Sequence, residues 1–293
     1  MSRVVVTGAS GFIGTALIPR LVAAGHVPRL IVRQPPAAPP VAPVEVIAGD
    51  LTSPATLRAA VAGADAVVHL GAATSAGRLD PALAYRVNVG GATALIEACR
   101  ATGCRRVVVL STQHVHLKRC GTYGRTKRIA DALFADSGLD VTILRPSLVY
   151  GPGSRGVFVK LAGFVRRLPV IPVVGPGTWH LRPLYLDDLV AVIVETLARP
   201  DVGGVERITY NEFLQAICSA LGRPCRRVHI PLALGFALAW VLERMLPHPP
   251  FTVDNVYGSL LDVPCDLRAL LRDFRPAFTS LAVGLQRTFA EAT

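Results

Sequence analysis

A phenol and an ammonium lie four residues apart in Tyr123-Gly-Arg-Thr-Lys127, a spacing that puts both on one face of a helix. A cation beside a phenol lowers its pKa, so Tyr123 could exchange a proton with a hydroxyl or carbonyl while hydride moves at the carbon. Lys127 could also hold a ribose. A second run with chemical meaning is Thr7-Gly8-Ala9-Ser10-Gly11-Phe12-Ile13-Gly14, which follows the β-branched run Arg3–Thr7 and precedes a segment of helical periodicity. There Gly8 permits a tight turn, Gly11 lets the backbone approach a pyrophosphate, and Gly14 lets helix and strand pack closely. The helix N-terminus then turns free N–H groups and a positive dipole end toward phosphate.

In such a site the end of the second strand reads the adenosine ribose, and an Asp or Glu there would bind its hydroxyls. This sequence has Val32-Arg33-Gln34, with no carboxylate until Glu45. Arg33 suits a 2′-phosphate, so NADP(H) is favoured and NAD(H) is the alternative. Two other groups of polar residues read as structural. His69, His114, His116 and His180 fall on different strands and loops, without the i, i+4 spacing of a helical metal pair, so no metal site is expected. Asp187-Asp188 opens a helix, where carboxylates meet the dipole, and capping is the better reading than acid–base work.

These residues need elements to position them. The runs Arg3–Thr7, Val27–Val32, Val44–Ala48, Ala66–Leu70, Val107–Leu110 and Val141–Leu144 are short and nearly all apolar. They alternate with helical segments such as Phe12–Ala24, Pro81–Arg100 and Gly124–Ser137, as in a parallel sheet covered on both faces. Ser53-Pro54 is a good helix start. Gln34–Pro43, with five prolines, reads as a surface loop. Beyond Gly151 helices dominate (Val157–Leu168, Asp187–Ala198, Asn211–Leu221, Pro231–Leu246), with short strands at Val170–Val174 and Leu181–Leu186. The expectation is an α/β chain: a Rossmann-type, doubly wound parallel sheet over residues 1–150, to which 181–199 return, and a smaller, mainly helical C-terminal substrate lobe from 151–180 and 200–293.

Of the 293 residues, 51% are hydrophobic and 17% charged, which excludes a disordered chain. The six cysteines form no C-x-x-C pair, and their spacing supports neither a disulfide framework nor structural zinc. No signal-like stretch opens the chain, and the apolar run Ile230–Leu242 is too short to span a bilayer. The expected location is therefore the cytoplasm. The net charge is +11, and Arg100, Arg105, Arg106, Lys118, Arg119, Arg125, Lys127 and Arg128 crowd a stretch without acids. No nucleic-acid motif or interleaved aromatics accompany them, so nucleic acid is not the expected partner; an anionic small molecule or an ordinary Arg-rich surface is. The segment Ile230–Leu246 is apolar nearly all round in its first turns, and reads as packed within the lobe in preference to leaning on lipid. Expected partners are a small-molecule substrate, apolar or anionic, with peripheral membrane or complex association and a homodimer as further options.

The motifs Thr7-Gly8-x-x-Gly11-Phe12-Ile13-Gly14, Gly49-Asp50-Leu51, His69-Leu-Gly-Ala72-Ala73, Asn88-Val89, Ser111-Thr112, Tyr123-x-x-x-Lys127, Arg145-Pro146-Ser147-x-Val149-Tyr150-Gly151-Pro152 and Tyr185-Leu186-Asp187-Asp188-Leu189 jointly resemble the extended short-chain dehydrogenase/reductases. More narrowly they resemble the NAD-dependent epimerase/dehydratase family. The later segments Ile208–Leu214 and Ile230–Leu234 resemble its atypical branch, related to the nucleotide-binding accessory subunit of respiratory complex I. The resemblance implies that Gly8, Ser10, Gly11, Phe12, Ile13 and Gly14 cradle the cofactor and that Asp50 and Leu51 meet the adenine. Leu70, Gly71, Ala72 and Ala73 would line its middle, and Ser111, Pro146, Ser147 and Val149 its nicotinamide end. Thr112 would hold the substrate oxygen, Tyr123 act as general acid/base and Lys127 as its activator, with Asn88 supporting a proton relay; His180 and Arg182 would approach the substrate. It implies an oxidoreductase or epimerase passing hydride between NADP(H) and a carbonyl or carbinol carbon. The alternative is a cofactor-binding structural or assembly protein that turns over nothing. Three features depart from the pattern. His116 replaces the usual tyrosine, only ten residues separate Thr112 from Tyr123, which argues against a sugar nucleotide, and the stretch from Asp201 to Ile208 is abbreviated.

Overall fold

In β1 (Arg3–Thr7) the side chains of Val4 and Val6 point to one face and Val5 to the other, and all three are fully buried. A strand buried on both sides has no polar face to present, which is why these runs carry so few polar residues. The computed structural model describes residues 1–35, 43–74, 79–198, 208–246, 249–259 and 278–290. Its main sheet joins β1 to β2 (Val27–Val32), β3 (Glu45–Ala48), β4 (Ala66–His69), β5 (Arg106–Leu110) and β6 (Asp140–Leu144). All are parallel, in the order β3-β2-β1-β4-β5-β6. The order reverses beside β1, and the crevice at such a switch point is where doubly wound sheets take ligands. The predicted doubly wound α/β fold is present.

One face packs Val4, Val6 and Val108 against Leu17 and Leu21 of α1 (Phe12–Ala23) and Leu189 and Ile193 of α7 (Leu186–Ala198). The other packs Val5, Val67 and Val107 against α2 (Pro54–Val61), α4 (Gly91–Thr102) and α5 (Thr122–Ala135), through Leu57, Leu95 and Phe134. Ser53 starts α2 as expected, its side chain accepting from the Thr56 N–H with Pro54 in the first turn. The single helix predicted over 81–100 is interrupted. A short α3 (Pro81–Ala84) widens into a π turn at Tyr85–Gly90 before α4 begins.

Beyond β7 (Val149–Tyr150) the strands are short and pair in twos. The pair β8 (Ile171–Val174) and β12 (Arg227–Ile230) is parallel, β9 (His180–Leu181) and β11 (Ile208–Thr209) antiparallel, and β10 (Leu184–Tyr185) and β7 parallel. The strand predicted over 181–186 is thus two strands with different partners, and Leu186 already belongs to α7. A third apolar cluster joins Tyr150, Phe158, Phe213, Ile217 and Leu285 from β7, α6 (Val157–Arg167), α8 (Tyr210–Ala220) and α11 (Leu281–Ala290). A capping box between Thr209 and Glu212 starts α8. Asp188, in the first turn of α7, accepts from the Thr279 N–H (2.8 Å) and hydroxyl (2.9 Å), linking that helix to the later chain.

The helix α9 (Leu232–Met245) corrects one expectation. Only Gly235 and Ala239 are buried on it, while Leu234, Leu238, Trp240, Val241 and Met245 are exposed. It meets the body through small residues. A Cβ on Gly235 would come within 2.5 Å of Val174, so that side approaches closely while the large apolar side chains face out. Between α9 and α10 (Val253–Ser259) a ring contact joins Phe236 to Tyr257. Residues 36–42 of the predicted loop, and the 201–207 part of the abbreviated stretch, lie outside the described residues.

Candidate active site

The carboxyl ends of β1, β2, β4 and β5 open into a cavity of about 880 Å³ that extends toward the third apolar cluster. Its floor is the opening glycine turn. Gly8 has φ +70°, and a Cβ there would lie 2.7 Å from the Gly71 nitrogen; at Gly14 a Cβ would lie 2.5 Å from two carbonyl oxygens. Both positions therefore require glycine. Ser10, Gly11, Phe12 and Ile13 continue the wall. Gly11 caps α1 with no side-chain hydrogen bond and no acid stands in the first turn, so the positive end of the helix is open to an anion.

Arg33 follows β2 on the exposed rim, with Asp50 and Leu51 beside it on the same wall. Hydrogen bonds from the Thr52 N–H (2.8 Å) and hydroxyl (2.7 Å) hold the Asp50 carboxyl below its ordinary value, helped by Arg33 and Arg86. Leu70, Gly71, Ala72 and Ala73 leave β4 along the cavity. They are fixed by Thr7, whose hydroxyl accepts from the Gly71 N–H (3.1 Å) and lies 2.8 Å from His69 Nδ1. Burial, with the Lys127 charge, pushes His69 down to about 3, so its imidazole is neutral. His69 is a core histidine next to the cavity wall, as its strand position suggested.

Ser111, Thr112, Tyr123 and Lys127 line the same cavity. The Thr112 side chain acts on the Tyr123 phenol and favours its ionised form, and the Lys127 ammonium donates to the Leu110 carbonyl (2.8 Å). The expectation that the ammonium lowers the phenol is corrected. Burial pushes Tyr123 up to about 12, with Asp131 and Asp254 acting in the same direction and Thr112 easing it down. Desolvation also takes Lys127 down to about 8, against the pull of Asp131. Spacing placed the two groups together, but burial sets both proton affinities.

Three expected site residues do not line the cavity. Asn88, in the π turn, accepts from the Ala73 N–H (2.7 Å) and donates to the Ala73 carbonyl and the Thr126 hydroxyl (both 3.0 Å). It ties the Ala73 segment to α5. The Pro146 carbonyl accepts from the Gln113 N–H (3.1 Å), and Val149 packs against the α1–α7 core; Ser147 and Leu148 do face the cavity. Of the substrate-side residues, Leu181 lines it while His180 and Arg182 do not.

The structure adds residues that the sequence reading did not assign. His114 meets Tyr123 edge-on with ring centroids 5.8 Å apart and is held neutral by burial, at about 4. Asp131, one turn beyond Lys127, is buried and takes Arg145 Nε at 2.8 Å on one oxygen. Its i, i+4 relation to Lys127 was a readable signal. Asp254 faces the Tyr123 N–H from α10; across 131 residues no local pattern announces it. The far wall is mostly apolar, with Leu161, Phe164, Val174, Ile230 and Phe251, and Arg155 and Lys160 near them.

A dinucleotide suits this site on one independent observation. The Ser111 hydroxyl is buried beside the cavity with no hydrogen-bond partner among the described residues, which is costly unless a bound group supplies one. Comparison with known proteins then decides the family, because the profile of the NAD dependent epimerase/dehydratase family matches residues 4–211. The chain belongs to that family. This family member is 30% identical to a ceramide reductase of Caulobacter vibrioides over 78% of its own length and 73% of that protein's. It is also 30% identical to a 2-alkyl-3-oxoalkanoate reductase of Stenotrophomonas maltophilia, over 85% and 87%. Its fold matches the Bordetella bronchiseptica enzyme WbmH, solved with NAD+, at a TM-score of 0.77 and 17% identity, covering 100% of this chain and 98% of that one. The family and these reductases make the epimerase/dehydratase relative an oxidoreductase-type enzyme.

Proposed function

We propose that this enzyme interconverts a carbonyl and a secondary alcohol on an apolar small molecule, using a nicotinamide dinucleotide with NADP(H) favoured. The observation that carries the reading is that the glycine turn, the Thr112–Tyr123–Lys127 group and a mainly apolar far wall share one cavity. Gly8 to Gly14 would hold the diphosphate on the α1 N-terminus, Asp50 and Leu51 the adenine end, and Ser111 and Ser147 the nicotinamide end. A reduced nicotinamide held there would supply hydride chemistry at the carbonyl carbon. Thr112 orients the carbonyl oxygen, and Tyr123, protonated at neutral pH, donates its phenolic proton to the oxygen as charge develops there. Lys127 stands beside this transfer as an ammonium, its charge favoured by Asp131. Asn88 and Asp254 position the Ala73 and Tyr123 segments and touch no reactant. An apolar substrate also agrees with the two reductase relatives, named for ceramide and a 2-alkyl-3-oxoalkanoate, and with the short link between Thr112 and Tyr123.

Oxidation of NADPH, followed by absorbance against a panel of long-chain 3-oxo compounds and ketones, tests the chemistry. Tyr123→Phe is expected to lower turnover by roughly 10²–10⁴-fold with little change in cofactor affinity. Equal turnover by both proteins would remove Tyr123 as proton donor, and no turnover on any carbonyl would favour the non-catalytic alternative. For the cofactor, NADPH should bind more tightly than NADH, and Arg33→Ala should remove most of the difference. Tighter NADH binding by the parent protein would reverse the preference.

A further inference from the structure

On α9 the residues Leu234, Leu238, Val241 and Met245 recur at intervals of four, three and four, which places them in one stripe along the helix. All are exposed, Leu234 at 57% and Met245 at 74%. Further round the same exposed side, about 100° from Val241, Trp240 is half-exposed, with the Arg244 guanidinium stacked 3.6 Å from its ring centre. An indole with a cation on its face suits a boundary between oil and water. The preceding strand β12 is exposed as well: Arg227, Val228 and His229 are open to solvent, as is Arg226 just before it. From Leu221 to Leu246 the sequence holds Arg223, Arg226, Arg227 and Arg244 against a single acid, Glu243, which turns inward to accept from the Val253 N–H at 2.8 Å. The outward charge of this region is therefore positive, as is the chain as a whole at +11.

We infer that β12 and α9 form a docking surface for an anionic lipid bilayer, with the α9 stripe entering the headgroup region and the arginines meeting lipid phosphates. Apolar residues in a stripe, a neighbouring aromatic and a basic surround are what interfacial binding needs, and neither the stripe nor the charge alone would suffice. No helix among the described residues is long and apolar enough to cross a membrane, so the contact is peripheral. The position of the surface gives it a use. Ile230 enters α9, and Pro250 and Phe251 follow it; all three line the apolar end of the cavity. A bilayer against α9 would lie next to the place where an apolar substrate is expected, although docking does not depend on that substrate reading.

Flotation of the full chain with vesicles tests the inference. The protein should float with equal parts phosphatidylcholine and phosphatidylglycerol at low salt, and at least about tenfold less with phosphatidylcholine alone or at high salt. Leu238→Glu with Met245→Glu should abolish flotation, and Arg226→Ser with Arg244→Ser should reduce it about tenfold or more. All four positions are exposed, and unchanged thermal unfolding and NADPH binding by the variants would show that the fold and the cofactor site are intact. The inference is overturned if the parent stays unbound, if it floats equally on neutral vesicles, or if the double glutamate variant floats as well as the parent. It is equally overturned if light scattering shows a dimer that the glutamates dissociate, which would make a second copy the occupant.

Discussion

The six-stranded sheet and the assembly beyond Tyr150 are built on different terms. In the sheet, four or five consecutive residues pair in register along each ladder, and helices cover both faces. Alternation along one strand already decides which residue faces which helix layer. Beyond Tyr150 the ladders hold two to four pairs each, and β12 meets β8 only after the chain has passed through β9, β10, α7, β11 and α8. Those pairings depend on contacts far apart in sequence. The glycine-turn end of the cavity therefore rests on a locally specified frame, and its far apolar end on contacts that a few substitutions can alter. Changes of substrate should be concentrated there, with the glycine turn and its chemistry left in place.

Core substitutions give the largest contrast. Leu189→Ala, in the core shared by the sheet and α7, should cost about 2–5 kcal/mol in denaturant unfolding, whereas Leu238→Ala on α9 should stay within about 0.5 kcal/mol. Similar losses at the two positions would mean that α9 is covered in solution. A smaller loss, about 1–3 kcal/mol, is expected for Asp188→Ala, which deprives Thr279 of a carboxylate acceptor. Faster proteolysis near residue 279 than in the sheet would show that the second region loosens first.

The finest distinction concerns pH. Lys127 is lowered to about 8, so its charge is complete well below that pH and lost above it; Tyr123, raised to about 12, stays protonated throughout. Reduction measured as kcat/KM should thus be level at lower pH and fall as pH rises through about 8. Since Asp131 raises the Lys127 pKa, Asp131→Asn should move that fall to lower pH by about one unit. A profile unchanged by this substitution would assign the bend to another group.

Much of the sheet and the glycine turn could be read from the sequence, because short runs of apolar, β-branched residues and glycine spacing are local properties. The Tyr123–Lys127 pairing was legible for the same reason. The direction of the phenol shift was not, since spacing reports proximity and says nothing of how deeply both groups are buried or that Lys127 turns to the Leu110 carbonyl. Nor was α9: a helix apolar all round has the same sequence pattern whether its outer side meets protein or something else. Asp254 and the division of residues 180–185 between two ladders depend on partners chosen by tertiary packing.

The π turn at Tyr85–Gly90 has a consequence for the length of the chain at that point. A π turn takes up one more residue than an α turn, so the helix before it and the helix after it are out of phase. Asn88 can face back to Ala73 while Leu95 and Cys99 still reach the sheet. Deleting a single residue from this turn would close it to ordinary α pitch and force a choice between the two orientations: either the Ala73 backbone loses its amide clamp, or the whole of α4 rotates off the sheet.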